Sequence, residues 1–162
     1  MSTPTERLAE LGLTLPGVAA PLAAYVPTVR VGDLVYTSGQ LPGVEGKLVA
    51  LGKVGAEVTS ETAAECAGLA TLNALAAVAA EAGGLDAVAR VVKVVVFVAS
   101  DPSFTGQAQV ANGASQLLGD VFGGAGKHAR SAVGVAVLPL DAPVEVELVV
   151  EVGATPTIRS PQ

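Results

Sequence analysis

An α+β fold, one mixed and mostly antiparallel sheet with helices on one face, follows from three features of this sequence. Segments of strand and helix character succeed one another in the order strand–strand–helix–strand–helix–strand–strand. The helical segments repeat leucines at helical spacing, whereas the strand segments are runs of β-branched residues. No internal repeat and no second domain is visible, so a single domain over residues 1–162 is expected.

Residues 1–21 form an N-terminal extension. Within it, 3–12 predict a short amphipathic helix, with Leu8, Leu11 and Leu13 among charges ahead of Pro16. "YVPTVRVGDLVYTSGQLP" predicts two strands around a Gly32-Asp33 turn, with Val29, Val31, Leu34 and Tyr36 as strand formers. Residues 42–56 are Gly-rich and patternless, a long loop with room for a short strand at "KLVAL". "TSETAAECAGLATLNALAAVAAEAGG" predicts a long helix. Glu61 and Glu65 favour its start, Leu69, Leu72 and Leu75 recur at helical spacing, and Gly83-Gly84 ends it.

"VARVVKVVVFVAS" is the clearest strand. A second helix follows, with Val110, Ala114, Leu117, Val121 and Phe122 on one face and Gly123-Gly124 at its end. The last two strands are "SAVGVAVL" and "PVEVELVVEV", whose valines alternate with Glu145 and Glu147. A hairpin through "LPLDAP" would pair 131–138 with 144–151. Residues 153–162 read as a tail.

Hydrophobic residues make up 51% of the chain, charged residues 15% and aromatics 3%, so Ala, Val and Leu must build the core. The surplus of apolar surface predicts an oligomer. A net charge of −6, with only nine scattered Lys and Arg, argues against a nucleic-acid partner. The one cysteine, Cys66, has no internal partner, which suits a reducing, cytoplasmic setting. "LGLTLPGVAAPLAA" resembles a signal-peptide core, but Glu6, Arg7 and Glu10 precede it and Pro16 and Pro21 interrupt it. No uninterrupted apolar run has the length of a membrane span, about 18 residues or more.

Several chemistries fail on spacing. "GGAGKHA" is not a phosphate loop, because Val121 stands where the first glycine belongs and His128 where Ser or Thr belongs. No nucleophile-elbow pattern accompanies His128, the sole histidine. One His and one Cys far apart make a poor metal site. Cys66, among alanines, reads as a core or interface residue, His128 as a hydrogen-bonding loop residue, and Lys127 as solvated. Arg130 and the strand carboxylates Glu145 and Glu147 remain. An arginine beside an apolar strand either solvates a loop or holds an anion in a cleft.

"VYTSGQLP", "VVKVVVFVAS" and "ARSAVGVAVLPLDAPVEVEL", in that order within residues 22–152, resemble the Rid family. These are the reactive intermediate deaminases, also called the YjgF family and formerly endoribonuclease L-PSP. The resemblance implies a chorismate-mutase-like fold and a homotrimer whose sheets form a central barrel, with clefts between subunits. It implies hydrolysis of small 2-imino acids and their enamine tautomers to 2-keto acids and ammonia, without metal or organic cofactor. By the same resemblance Arg130 grips the substrate carboxylate and Glu145 handles water. Tyr25, Ser38, Gly39, Ser131 and Ala132 line the cleft. Ala132 where the family often has cysteine, the loop 42–56, the N-terminal extension and the insert-like "VANGASQLLGDVFGGAGKH" mark a divergent branch. A non-catalytic trimeric binder of small carboxylates is the alternative. A ribonuclease, the old family label, fits the acidic charge poorly.

Overall fold

A computed structural model describes residues 1–18, 20 and 24–153. The far end of the N-terminal extension and nearly all of the predicted tail therefore lie outside the described residues. The strands are β1 (Thr28–Val31), β2 (Leu34–Thr37), β3 (Gly43–Val44), β4 (Lys47–Leu48), β5 (Val88–Ala99), β6 (Ala129–Val135) and β7 (Val144–Val152). The helices are α1 (Pro4–Glu10), α2 (Ser60–Ala82) and α3 (Gln107–Phe122). Five strands form one sheet in the order β1-β2-β7-β5-β6, and β3 and β4 make a small hairpin inside the long loop. Every pairing in the main sheet is antiparallel except β5 with β6. The α+β class, with its mixed, mostly antiparallel sheet, is as the sequence predicts.

The expected hairpin of the last two strands does not form. β5 lies between β6 and β7, pairing with the first in parallel and the second antiparallel. The reason is local: β5, α3 and β6 form a strand–helix–strand crossover, which brings its two strands together in parallel. The short turn at Pro139–Asp141 then carries the chain past β5 to β7. β6 also starts earlier than the sequence suggests, at Ala129, so Arg130 lies within a strand.

Both long helices cover one face of the sheet, α2 over β7, β2 and β1, and α3 over β5 and β6. Thr59 caps α2 by accepting from the Thr62 amide, and Gly83, at φ 83°, ends it in a left-handed turn. By length and composition α2 would suit a membrane span. It is instead the core helix, burying Ala63, Ala67, Ala70, Ala74, Leu75 and Val78. The two helices approach closely where Gly113 faces α2: a Cβ there would strike the Ala64 carbonyl.

Beneath them lie Val91, Val94, Val96 and Val98 of β5 and Val144, Val146, Leu148 and Val150 of β7, all at most 1% exposed. Each such side chain stabilises the fold by about 1.5–3 kcal/mol. Cys66 belongs to this core. The extension joins it too: α1 begins in a capping box between Thr3 and Glu6 and buries Leu8.

Among the described residues no helix lies on the other face of the sheet. Alternation turns Glu145, Glu147, Val149 and Glu151 of β7 toward it, together with Lys93, Val95 and Phe97 of β5. Val29 of β1 and Tyr36 of β2, paired with each other, extend this face and are exposed.

Candidate functional site

Glu145, the second residue of β7, stands on the uncovered face opposite Phe97 of β5. The chain leaving β2 runs alongside it, because Gln40 and Val146 exchange backbone hydrogen bonds of 2.8 and 2.9 Å. This lays Gly39 against the Glu145 carboxyl group, and a Cβ at position 39 would collide with it. Glycine is thus a steric requirement here. Burial is the larger cause raising the Glu145 pKa above its ordinary value of 4.5, and the neighbouring Glu147 charge adds to it. The group is therefore biased toward holding a proton, a property suited to general acid–base work.

Ser38 binds this corner together. Its hydroxyl donates to the Val26 carbonyl at 2.6 Å and its amide to the Pro27 carbonyl at 2.8 Å. The segment carrying the exposed Tyr25 is thereby anchored to the end of β2. Next to it, the buried Thr37 hydroxyl accepts from the Leu148 amide at 3.0 Å and locks β2 to β7. The structure brings Tyr25, Ser38, Gly39 and Glu145 to one end of the sheet.

Arg130 is placed differently. It pairs with Val94, a helix-facing residue, and its side chain lies on the helix side of the edge strand β6. Nη1 donates to Asn112 Oδ1 at 2.8 Å and to Ser115 Oγ at 3.1 Å, both on α3. Ala132, two residues on, packs against the core from the same side. Ser131, between them, alternates to the uncovered face, where its hydroxyl accepts from Lys93 Nζ at 3.1 Å. Within one chain, then, Arg130 and Glu145 occupy opposite faces, with β5 between their strands.

Sequence reasoning missed Asn112, Ser115 and Lys93. Asn112 and Ser115 are three apart on α3, so they share a helical face. That spacing was the available signal, but their partner on β6 was not visible without the crossover. Lys127 is exposed, as expected, and His128 makes hydrogen bonds to Ser115 and Gly126. Among the described residues no group of three or more His, Cys, Asp or Glu is arranged to hold a metal ion.

Residues 5–152 match the family model described as "YjgF/chorismate_mutase-like, putative endoribonuclease". The chain is 47% identical over 145 residues to Protein TCP17 of Trypanosoma cruzi, covering 89% of this chain and 91% of that protein. The crystal structure of the protein Atu1372 of Agrobacterium tumefaciens, described as of unknown function, is similar with a TM-score of 0.85 and 45% identity. That match covers 93% of this chain and 92% of the other. A "putative endoribonuclease" of Shewanella oneidensis matches with a TM-score of 0.90 and 36% identity, over 93% of this chain and 100% of that one.

Proposed function

The chain belongs to the YjgF/chorismate-mutase-like family, and from that premise we propose that it hydrolyses small 2-imino acids to 2-keto acids and ammonia. The reaction takes place in a cleft shared between subunits of a homotrimer. The observation that carries this reading is Glu145, a half-buried carboxyl group seated on Gly39 with its pKa raised by burial. An imine carbon is already electrophilic, so no covalent enzyme intermediate is needed. Glu145 orients a water, takes its proton as the oxygen adds to the C=N carbon, and returns a proton to the departing nitrogen. The second proton of the water leaves the new hydroxyl group for the nitrogen as ammonia departs, so one water is consumed and the C=N bond is exchanged for a C=O bond.

Arg130 of the neighbouring subunit supplies the carboxylate grip. Its fork offers charge-assisted bonds in a partly dry cleft, and such positioning is worth up to about 7–11 kcal/mol of barrier. Two features support a shared cleft. Arg130 and Glu145 face opposite sides of one sheet, and Arg130 sits on an edge strand that can reach a second copy. The exposed Val29, Tyr36 and Val133 leave apolar surface for that copy to cover.

A second reading, a non-catalytic binder of small carboxylates, draws on the independence of the Arg130 anchor, which involves α3 alone. The two readings part at Glu145. A ribonuclease activity, the wording attached to the Shewanella relative, fits poorly with a charge of −6.

The test is a coupled assay in which a threonine dehydratase generates the imine and keto acid release is followed. Addition of the protein should accelerate release, and Glu145→Gln should abolish that acceleration while retaining 2-oxobutanoate binding. No acceleration, with binding intact, would leave the binder reading.

A further inference from the structure

Behind Arg130 runs a chain of polar contacts that ends at the one histidine. His128 Nδ1 lies 2.6 Å from the Gly126 carbonyl oxygen, and Nε2 lies 2.9 Å from Ser115 Oγ. A backbone carbonyl only accepts, so Nδ1 carries the proton and donates it. In the neutral ring Nε2 is then an acceptor, and the Ser115 hydroxyl donates to it. This fixes the hydroxyl rotor and turns the Ser115 lone pairs toward Arg130 Nη1, 3.1 Å away.

Asn112 Oδ1 takes the same nitrogen at 2.8 Å, so both protons of Nη1 are committed. The partners found for the guanidinium among the described residues are all on Nη1. The Nε–Nη2 edge is left as the parallel pair of donors that a carboxylate accepts. The far end of the chain is equally fixed. Gly126 is buried against α3, where a Cβ would strike the Leu118 carbonyl.

We propose that His128 is a positioning residue: through Ser115 it sets the rotation of the Arg130 guanidinium so that the Nε–Nη2 edge faces the ligand carboxylate. The proposal rests on the reading of Arg130 as the carboxylate grip. A histidine that only stabilised the fold would affect melting temperature and leave the preference for acid over ester alone.

Calorimetry on the full-length protein, with 2-oxobutanoate and its methyl ester as probes, separates these. His128→Phe and Ser115→Ala should each weaken acid binding about five- to tenfold and leave ester binding unchanged. The double variant should be no weaker than the worse single, since both break one chain. His128→Gln puts an amide oxygen near the place of Nε2 and should bind within about twofold of wild type. Ser115→Ala also removes a direct contact to Arg130, so if His128→Phe folds poorly, His128→Asn, whose amide stops short of the Nε2 position, takes its place with the same loss expected. Wild-type acid binding by Ser115→Ala and His128→Phe, with binding lost in Arg130→Ala, would overturn the role of His128 alone. Undiminished acid binding by Arg130→Ala would overturn the reading of Arg130 and this inference with it.

Discussion

The two faces of the sheet are made by the same strands and obey different rules. On β7, Val144, Val146, Leu148, Val150 and Val152 turn to the helices and are buried, while Glu145, Glu147, Val149 and Glu151 turn away and remain half-buried. The covered face is complete within one chain, closed by alanines of α2 and valines of β5. The uncovered face mixes three carboxylates with Val95, Phe97, Val29 and Tyr36, and no described element of the chain lies over it. One face closes the core, and the other leaves carboxylates and apolar side chains uncovered by any described element. The candidate site divides the same way: Glu145 belongs to the uncovered face, and Arg130 hangs from the covered side of the edge strand.

Matched substitutions on the two faces of β7 should have opposite consequences. Val146→Asp places a carboxylate among fully buried side chains and should cost about 4 kcal/mol or more, enough to unfold a marginal domain. Val149→Asp, three residues along on the other face and flanked by Tyr36 and Lys93, should leave the chain folded. It should instead prevent assembly of the proposed trimer. Circular dichroism and light scattering on both variants check this, and equal loss of folding in the two would erase the distinction between faces.

A smaller effect is expected at Gly39. Gly39→Ala forces the Glu145 carboxyl group to move, because the new methyl occupies its place. Imine hydrolysis should fall at least tenfold, about 1.4 kcal/mol of transition-state stabilisation, while the melting temperature stays close to wild type. Unchanged turnover would show that the Glu145 position has no bearing on the reaction.

The smallest effect concerns pH. The Glu145 pKa is raised in the fold, first by burial and then by Glu147, so the native state binds more protons than the unfolded chain above pH 4.5. Stability from this group is therefore fully present below pH 4.5 and is lost as pH rises through the folded value. Glu145→Gln removes that loss. It should melt higher than wild type at neutral pH, with the gap closing as pH falls below 4.5, as thermal melts across the range would show.

The sequence made much of this visible, and the limits have physical causes. The alternation of β7 placed Glu145 and Glu147 on one face, and the leucine spacing of α2 with Gly83-Gly84 located that helix closely. Strand pairing was less visible, because β6 is short and Gly-containing and its partner is chosen by the α3 crossover, not by its neighbour in sequence. The contact of Gly39 with Glu145 links residues far apart in the chain and exists only once β2 lies beside β7. Likewise Ser115 carries no motif, and its place between Arg130 and His128 depends on how α3 lies against β6.

If Arg130 and Glu145 act together across a subunit boundary, as proposed, mixing subunits that each lack one of them should restore activity. Arg130→Ala and Glu145→Gln are each expected to be inactive as homotrimers. Refolded together in equal amounts, they should form trimers in which one cleft in about four has an intact Arg130 from one subunit and an intact Glu145 from the next. Recovery of about a quarter of wild-type imine hydrolysis is the predicted result. Mixed trimers, verified by mass, that stay as inactive as either parent would contradict it.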